Sequence, residues 1–139
     1  MTLDSSALLA VLFNEAGYLT LVDKMLEAEV LRIGAPTLVE ASLVFETRLG
    51  RRPPSGEKRH DAVDELVKEL AITVAPFAES EWHRAVEAFG KYGRGRHKAG
   101  LNFGDCFSYA LAKATGESLL FKGDDFSQTD VPMARASSL

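Results

Sequence analysis

Short apolar segments alternate with longer amphipathic ones along this 139-residue chain, and this alternation is the strongest constraint on its fold. Runs typical of strands, apolar or β-branched, occur at 1–3, 30–35, 71–75 and 118–121. Segments with apolar residues at helical spacing occur at 7–13, 19–28, 36–49, 60–70, 79–89 and 105–114. Such alternation predicts an α/β fold in which helices cover both faces of a central parallel sheet.

The length and composition predict one domain, residues 1–139, in the cytoplasm. A chain of this size buries about 70% of its unfolded surface, which is enough for a core without disulfides. The longest apolar run, 7–13, is too short to span a membrane, and the first residues lack the basic region of a secretory signal. The single cysteine, Cys106, excludes an intramolecular disulfide and a cysteine-based metal site.

Acidic residues follow the predicted strands. Asp4 comes directly after the first strand, Glu40 lies one turn into the helix after the second, and Asp124 and Asp125 follow the fourth. Asp105 begins a predicted helix after a glycine-containing loop. An Asp at a helix start is commonly only a cap, but Glu40 stands in an otherwise apolar helix, where an unpaired carboxylate is costly. Ligands of parallel sheets bind at the carboxyl ends of the strands, so we expect these acids to share a site.

Grouped carboxylates of this kind favour a bound cation. They repel one another unless a cation offsets their charge, and Mg²⁺ or Mn²⁺ prefers oxygen ligands. The three histidines, His60, His83 and His97, lie away from the strand ends, and no Cys/His spacing for zinc is present. Carboxylate-held Mg²⁺ commonly acts on phosphate esters, so this chemistry is predicted.

Two other families that use carboxylates and a metal do not fit the spacing. A haloacid-dehalogenase phosphatase needs a second Asp two residues after the first, where this chain has Ser6. A response-regulator receiver needs an acidic pair in its first loop and an Asp after its third strand, but Asp4 is single and 73–76 contains no acid. Neither a phosphate-binding glycine loop nor a dinucleotide fingerprint is present.

Four motifs surround the acids: LDSSALL at 3–9, TLVEA at 37–41, LNFGDCFSYALA at 101–112 and LLFKGDDF at 119–126. In order and spacing they resemble the PIN-domain ribonucleases, and among them the VapC toxins of bacterial toxin–antitoxin pairs. The first motif alone is weak, but the four in this order are specific and cover essentially the whole chain. The resemblance implies a single PIN domain, a three-layer α/β/α sandwich with a central parallel sheet.

The resemblance also implies the catalytic residues. Asp4, Glu40 and Asp105 match the first three metal-binding acids of the family. The fourth falls within GDDF, where Asp125 is the closer match because it directly precedes the phenylalanine, and Asp124 is the second choice.

Two polar residues and a cofactor follow from the same resemblance. Ser6 matches a residue that orients the first aspartate, and Asn102 matches a polar residue beside the site. The implied activity is that of a Mg²⁺- or Mn²⁺-dependent endoribonuclease that hydrolyses phosphodiester bonds with metal-activated water. No His or Lys in the four motifs is placed as a general base.

The implied partners are an RNA substrate such as tRNA or rRNA, a second copy of the chain, and a VapB-like antitoxin. The antitoxin would block the acidic groove and form a heterotetramer or larger assembly with the toxin. Two alternatives remain at this stage. One is a non-catalytic PIN-like module that binds nucleic acid or antitoxin, and the other is a metal-dependent DNA nuclease or phosphatase of similar architecture.

Basic residues are grouped although the net charge is −4, from 16 Lys and Arg against 20 Asp and Glu. Without the four proposed ligands, the chain would carry 16 residues of each sign. The segment 91–104 contains no acid and leads into Asp105, which suits phosphate binding beside a metal site. The residues expected to contact RNA are Arg94, Arg96 and Lys98, with Arg51 and Arg52 in a second basic segment and Tyr92 and His97 as candidates for base stacking.

Aromatic residues at helical spacing are predicted to pack in the core rather than to bind a ligand. These residues are Trp82, Phe89, Phe107 and Tyr109. Cys106 is likewise predicted to be a small buried residue.

Overall fold

The computed structural model describes residues 1–50 and 54–134. Its strands are β1 (Thr2–Leu3), β2 (Arg32–Gly34), β3 (Thr73–Ala75) and β4 (Leu119–Leu120). Its helices are α1 (Ser5–Leu12), α2 (Tyr18–Glu27), α3 (Ala35–Leu49), α4 (Asp61–Glu69), α5 (Glu79–Tyr92) and α6 (Phe103–Thr115). No helix among the described residues is long and apolar enough to cross a membrane.

The four strands form one parallel sheet in the order β3-β2-β1-β4 within the described residues. Thr2 of β1 is in register with Arg32 on one side and with Leu119 on the other. The chain therefore builds outward from β1 through β2 to β3 and then returns to the opposite side of β1 for β4. This reversal opens a crevice at the carboxyl ends of β1 and β4, where α/β proteins bind ligands.

Helices cover both faces of the sheet, as neighbouring residues of β4 show. Leu119 packs into a cluster with Tyr109 of α6 and Phe126, whereas Leu120 packs into a second cluster with Leu8 of α1 and Met25 of α2. Successive side chains of a strand point to opposite faces, so these clusters are the cores of the two helical layers. The predicted α/β/α sandwich is confirmed.

The observed elements differ from the predicted ones mainly at their ends. The second strand is only 32–34, not 30–35, and α6 begins at Phe103, two residues before the predicted start at Asp105. The earlier start follows from Asn102, whose side chain accepts a hydrogen bond from the Asp105 N–H and caps the helix. Asp105 therefore lies inside the first turn of α6.

Part of the predicted aromatic core is exposed. Tyr109 is buried and Phe107 is partly buried, but Trp82 and Phe89 are 47% and 38% exposed. The prediction was wrong for these two because helical spacing shows which residues share a face, not what covers that face. They belong to a continuous surface, here called the apolar face, that α3, α5, α6 and the segment before α5 form. Its residues are Val39, Leu43, Phe77, Trp82, Val86, Phe89, Phe103 and Phe107.

Candidate active site

Asp4 lies at the carboxyl end of β1 and is the N-cap of α1. It is 4% exposed, and three hydrogen bonds fix its carboxylate. Ser108 donates its hydroxyl to Oδ1 at 2.6 Å, while Ser6 donates its hydroxyl at 2.6 Å and its N–H at 3.0 Å to Oδ2. The hydroxyl groups therefore hold both oxygens in one orientation without supplying positive charge.

Glu40 projects from the second turn of α3 toward the same crevice and is half-buried. Ser5 at the start of α1 donates its hydroxyl to Oε1 at 2.6 Å. Burial raises the pKa of Glu40, the Ser5 hydrogen bond opposes this shift, and the nearby charge of Asp4 adds to it. Glu40 is thus a carboxylate whose ionised form the surrounding protein disfavours.

Asp105 completes the buried part of the site and is 6% exposed. Its Oδ2 accepts the N–H of Asn102 at 2.9 Å, and the side chain of Asn102 accepts the N–H of Asp105 at 2.9 Å. The pKa of Asp105 is raised to about 7, mainly by burial and in addition by the charges of Asp4, Asp125 and Glu40, against the lowering effect of the Asn102 N–H. Asp4, Glu40 and Asp125 are thus near enough to Asp105 for their charges to act on it.

The turn after β4 carries Asp124 and Asp125, which are both exposed. The charge of Asp125 contributes to the raised pKa of Asp105. This interaction favours Asp125 as the fourth acid of the group. Asp4, Glu40, Asp105 and Asp125 are together called the acidic rim.

Ser6 links the two sides of the crevice. Its hydroxyl donates to Asp4 and also accepts the backbone N–H of Lys122 at 3.0 Å, at the start of the turn that carries Asp125. The structure thus places Ser6 between Asp4 and the start of the turn that carries Asp125. It places Asn102 beside the third acid, where the residue caps α6.

Sequence reasoning missed several residues that hold the acids, above all Ser108. Ser108 is 1% exposed, and its hydroxyl oxygen lies 3.5 Å from the hydroxyl oxygen of the buried Thr37 in α3. A signal was present, because Ser108 is the polar residue within an otherwise apolar helical run and lies three positions after Asp105, on the same side of the helix. Ser5 gave no comparable signal, since a serine at a helix start is commonly a cap.

The basic residues before α6 lie on the surface. Arg94, Arg96 and Lys98 are exposed on the loop between α5 and α6. Tyr92 is 6% exposed, so its predicted stacking on RNA bases does not fit its position. The other basic residues predicted to contact RNA, Arg51 and Arg52, lie outside the described residues.

The donor set of the acidic rim fits a divalent cation. None of its four acids forms an ion pair with a basic residue in the described part of the chain. Buried carboxylates without a cationic partner are costly, and a hard cation that accepts oxygen ligands would offset that cost. The Cys106 thiol beside Asp105 is buried, and burial raises its pKa to about 11, so it stays protonated and is a poor ligand.

The rim acids surround the crevice but do not converge. Among the described residues, ligand atoms of three such groups come within 4.8 Å of one another only at His60, Asp61 and Asp64. That trio lies at the start of α4, where His60 Nδ1 is 2.5 Å from Asp64, and is exposed or only partly buried.

Comparison with known proteins identifies the family of the chain. Residues 1–132 match the model of the PIN domain family. A curated protein of Mycolicibacterium smegmatis named Ribonuclease VapC is 37% identical over 131 residues, which cover 94% of this chain and 97% of that protein. Ribonuclease VapC30 of Mycobacterium tuberculosis is 39% identical over 132 residues, which cover 94% and 95% of the two chains.

Solved structures share the fold at lower identity. VapC20 of Mycobacterium tuberculosis, described as a toxin that cleaves the sarcin–ricin loop, matches with a TM-score of 0.70, at 18% identity over 96% of this chain and 98% of that one. A chain of VapBC2 from Rickettsia felis, solved with a DNA fragment from its promoter, matches with a TM-score of 0.71, at 10% identity over 96% of both chains. The sequence matches and the shared fold together show that this chain belongs to the PIN domain family and, within it, to the VapC ribonucleases.

Proposed function

We propose that this VapC-family ribonuclease hydrolyses RNA phosphodiester bonds with a divalent cation, Mg²⁺ or Mn²⁺, held by Asp4, Glu40, Asp105 and Asp125. The observation that carries the proposal is the acidic rim itself, a group of carboxylates at the carboxyl end of a parallel sheet without a described cationic partner. Asp4 and Asp105 are buried, and hydroxyl groups hold Asp4 and Glu40. We further propose that residues 1–139 form a single PIN domain, which the family match over 1–132 supports.

When bound, the cation would supply positive charge to the phosphate oxygens and lower the pKa of the attacking water. The chain's own residues do the positioning. Ser6 and Ser108 fix both oxygens of Asp4, Ser5 fixes Glu40, and the backbone N–H of Asn102 fixes Asp105. Preorganised ligands of this kind keep their geometry as charge develops, which lowers the barrier to hydrolysis.

The substrate phosphates have a second set of partners in the loop before α6. Its exposed cations are Arg94, Arg96 and Lys98. They shortly precede Asn102 and Asp105 in sequence, so an RNA strand bound to this loop would pass close to the acidic rim. Backbone contacts of this type are independent of base identity. RNA rather than DNA is the proposed substrate because curated relatives with 37–39% identity are named ribonucleases. An RNA substrate also leads us to propose the cytoplasm as the place of action.

The proposed partners are a VapB-like antitoxin and a second copy of the chain. The antitoxin proposal rests on structural relatives solved as toxin–antitoxin complexes, one from Rickettsia felis and one from Klebsiella pneumoniae. The second copy is assigned to the apolar face. That face forms two adjoining grooves of about 550 and 590 Å³, and among the described residues Glu40 is the only charged one in their linings. Extensive apolar surfaces without charge are typical of permanent homodimer interfaces.

The experiment compares cleavage of single-stranded RNA, folded tRNA and single-stranded DNA by wild-type protein and by Asp4→Asn, in Mg²⁺ and in excess EDTA. We expect RNA cleavage that EDTA abolishes and that Asp4→Asn lowers at least about 100-fold, because one fixed anionic ligand is lost. Preferential cleavage of DNA would favour the DNA nuclease alternative. Full activity in EDTA, or in Asp4→Asn, would contradict the proposed metal site.

A further inference from the structure

Gly104 occupies a position where the backbone itself does not require glycine. It is the second residue of α6, and its φ lies outside the left-handed region that favours glycine. Glycine within a helix is less favourable than alanine by up to roughly 1 kcal/mol. The reason for a glycine here must therefore be sought in its surroundings.

The space that a side chain would need at Gly104 is filled by the carboxylate of Glu40. A Cβ built on Gly104 would overlap Oε2 of Glu40 and lie 2.5 Å from its Cδ and 3.0 Å from Oε1. Gly90 in α5 offers a contrast, since a Cβ built there meets no atom of the described residues within 4 Å. Glu40 thus rests directly on the bare backbone of Gly104, next to Asp105.

The other side of the same carboxylate is held by Ser5. This serine is 5% exposed at the start of α1 and donates to Oε1 of Glu40 at 2.6 Å. Glu40 is therefore confined between a hydroxyl group on α1 and the backbone of α6. A methyl group at position 104 would push the carboxylate away from this place and break or lengthen the Ser5 hydrogen bond.

We propose that Gly104 is a positioning residue for Glu40, because its missing side chain lets the carboxylate lie beside Asp105 in the acidic rim. The inference deepens the proposed function and rests on it, since Glu40 is positioned for the cation that the rim is proposed to hold. Gly104 touches neither substrate nor cation in this scheme and acts through Glu40 alone.

The test measures Mn²⁺ affinity by titration calorimetry on the full chain without RNA, for wild type, Gly104→Ala, Glu40→Ala and the double variant. Gly90→Ala is the matched control, a glycine-to-alanine change in a helix with free space. We expect Gly104→Ala to weaken Mn²⁺ binding about 10- to 100-fold, the range found when residues that orient metal ligands are lost. Gly90→Ala should bind as wild type does.

The double variant separates positioning from a general structural effect. If Gly104 acts through Glu40, adding Gly104→Ala to Glu40→Ala changes Mn²⁺ affinity no further, because the displaced carboxylate is already absent. An equal loss in both backgrounds would assign Gly104 a general structural role and overturn the inference. Should Gly104→Ala alone fail to fold, recovery of the native circular dichroism in the double variant would support the clash with Glu40, and no recovery would contradict it.

Failure of the inference and failure of the proposed function give different results. If Glu40→Ala weakens Mn²⁺ binding but Gly104→Ala does not, only the inference about Gly104 is overturned. If Glu40→Ala itself binds Mn²⁺ as wild type does, the assignment of Glu40 to the metal site is wrong.

Discussion

The acidic rim and the apolar face adjoin each other but are organised in opposite ways. The rim is a set of charged groups in which the oxygens of Asp4, Glu40 and Asp105 are hydrogen-bonded to Ser5, Ser6, Ser108 and the backbone. The apolar face is a set of large side chains, such as Phe103 at 80% exposure, with no described chain segment above them. Glu40 lines the end of one apolar groove and also belongs to the rim, so the two surfaces share a border.

The rim and the apolar face each carry a free-energy cost in the isolated chain, but for different reasons. No buried side-chain nitrogen or oxygen among the described residues lacks a hydrogen-bond partner, so the cost at the rim is uncompensated charge. At the apolar face the cost is apolar area in contact with water, which monomeric proteins seldom leave in large patches. A cation would remove the first cost and a second protein surface the second. Changes at one surface should therefore leave the other unaffected.

The largest expected effect comes from removing a rim charge. We predict that Asp105→Asn stabilises the metal-free protein by up to about 4 kcal/mol above pH 7, since each unit of pKa shift corresponds to about 1.4 kcal/mol. The pKa of Asp105 is about 7 in the folded protein and 3.8 when unperturbed. Its ionisation therefore disfavours folding as the pH rises from about 4 to 7, and the cost is constant above that. Asparagine can still accept the hydrogen bond from Asn102.

Urea unfolding at pH 4.5 and pH 8, in EDTA, measures this effect. The gain should be largest at pH 8 and fall to roughly 1 kcal/mol at pH 4.5, where the unfolded chain is still mostly ionised at this residue. Asp124→Asn, an exposed acid in the neighbouring turn, serves as the control and should change little at either pH. Added Mn²⁺ should stabilise wild type but not Asp105→Asn. If Asp105→Asn is no more stable than wild type at pH 8, the charge of Asp105 does not lower the stability of the fold.

The second prediction concerns a substitution that disrupts the apolar face and leaves the acidic rim unchanged. We expect Val86→Asp to weaken self-association at least about 100-fold, because an unpaired carboxylate would be buried in the interface. Leu19→Asp is the matched control: Leu19 on α2 and Val86 on α5 are both 62% exposed, but only Val86 lines the apolar face. Sedimentation equilibrium measures the dissociation constant. Equal behaviour of the two variants would contradict the assignment of the dimer interface.

These two surfaces also differ in how far the sequence could predict them. The location of the rim could be predicted, because the carboxyl ends of parallel strands meet at one edge of the sheet, and the four motifs supplied the order of the acids. The hydroxyl groups that hold the acids could not, since the bond from Ser108 to Asp4 joins residues 104 positions apart. The face was missed because Trp82 and Phe89 show the same spacing whether a helix or a second protein covers them.

The third prediction tests whether the hydroxyl groups matter to the rim. Ser108→Ala removes the 2.6 Å hydrogen bond to Oδ1 of Asp4, and we expect metal affinity and RNA cleavage to fall roughly tenfold. Ser55→Ala, an exposed serine in the segment between α3 and α4, is the control and should behave as wild type. Self-association of Ser108→Ala should be unchanged. If Mn²⁺ affinity stays at the wild-type value, the hydroxyl group does not orient Asp4.

The smallest effect is expected in the basic loop, which borders both surfaces. The guanidinium of Arg96 lies 5.6 Å from the ring centre of Phe89 on the apolar face, while the loop leads into Asn102 beside the rim. Backbone hydrogen bonds order this loop: the N–H of Arg94 donates to the carbonyl of Leu101 at 2.9 Å, and the N–H of Arg96 donates to Gly93 at 3.0 Å. Side-chain changes at its exposed cations should therefore leave its conformation intact.

Replacing Arg94, Arg96 and Lys98 by glutamine should raise the KM for RNA about 3- to 10-fold at moderate salt and leave kcat nearly unchanged. Each phosphate contact to single-stranded RNA contributes roughly 0.7 to the slope of log affinity against log salt, so three lost contacts should reduce the slope by about 2. Lys68→Gln with Arg84→Gln, both exposed and outside the loop, gives the control. A triple variant with the wild-type slope would show that RNA reaches the acidic rim by another path, and a fall in kcat instead would place these side chains at the reacting phosphate.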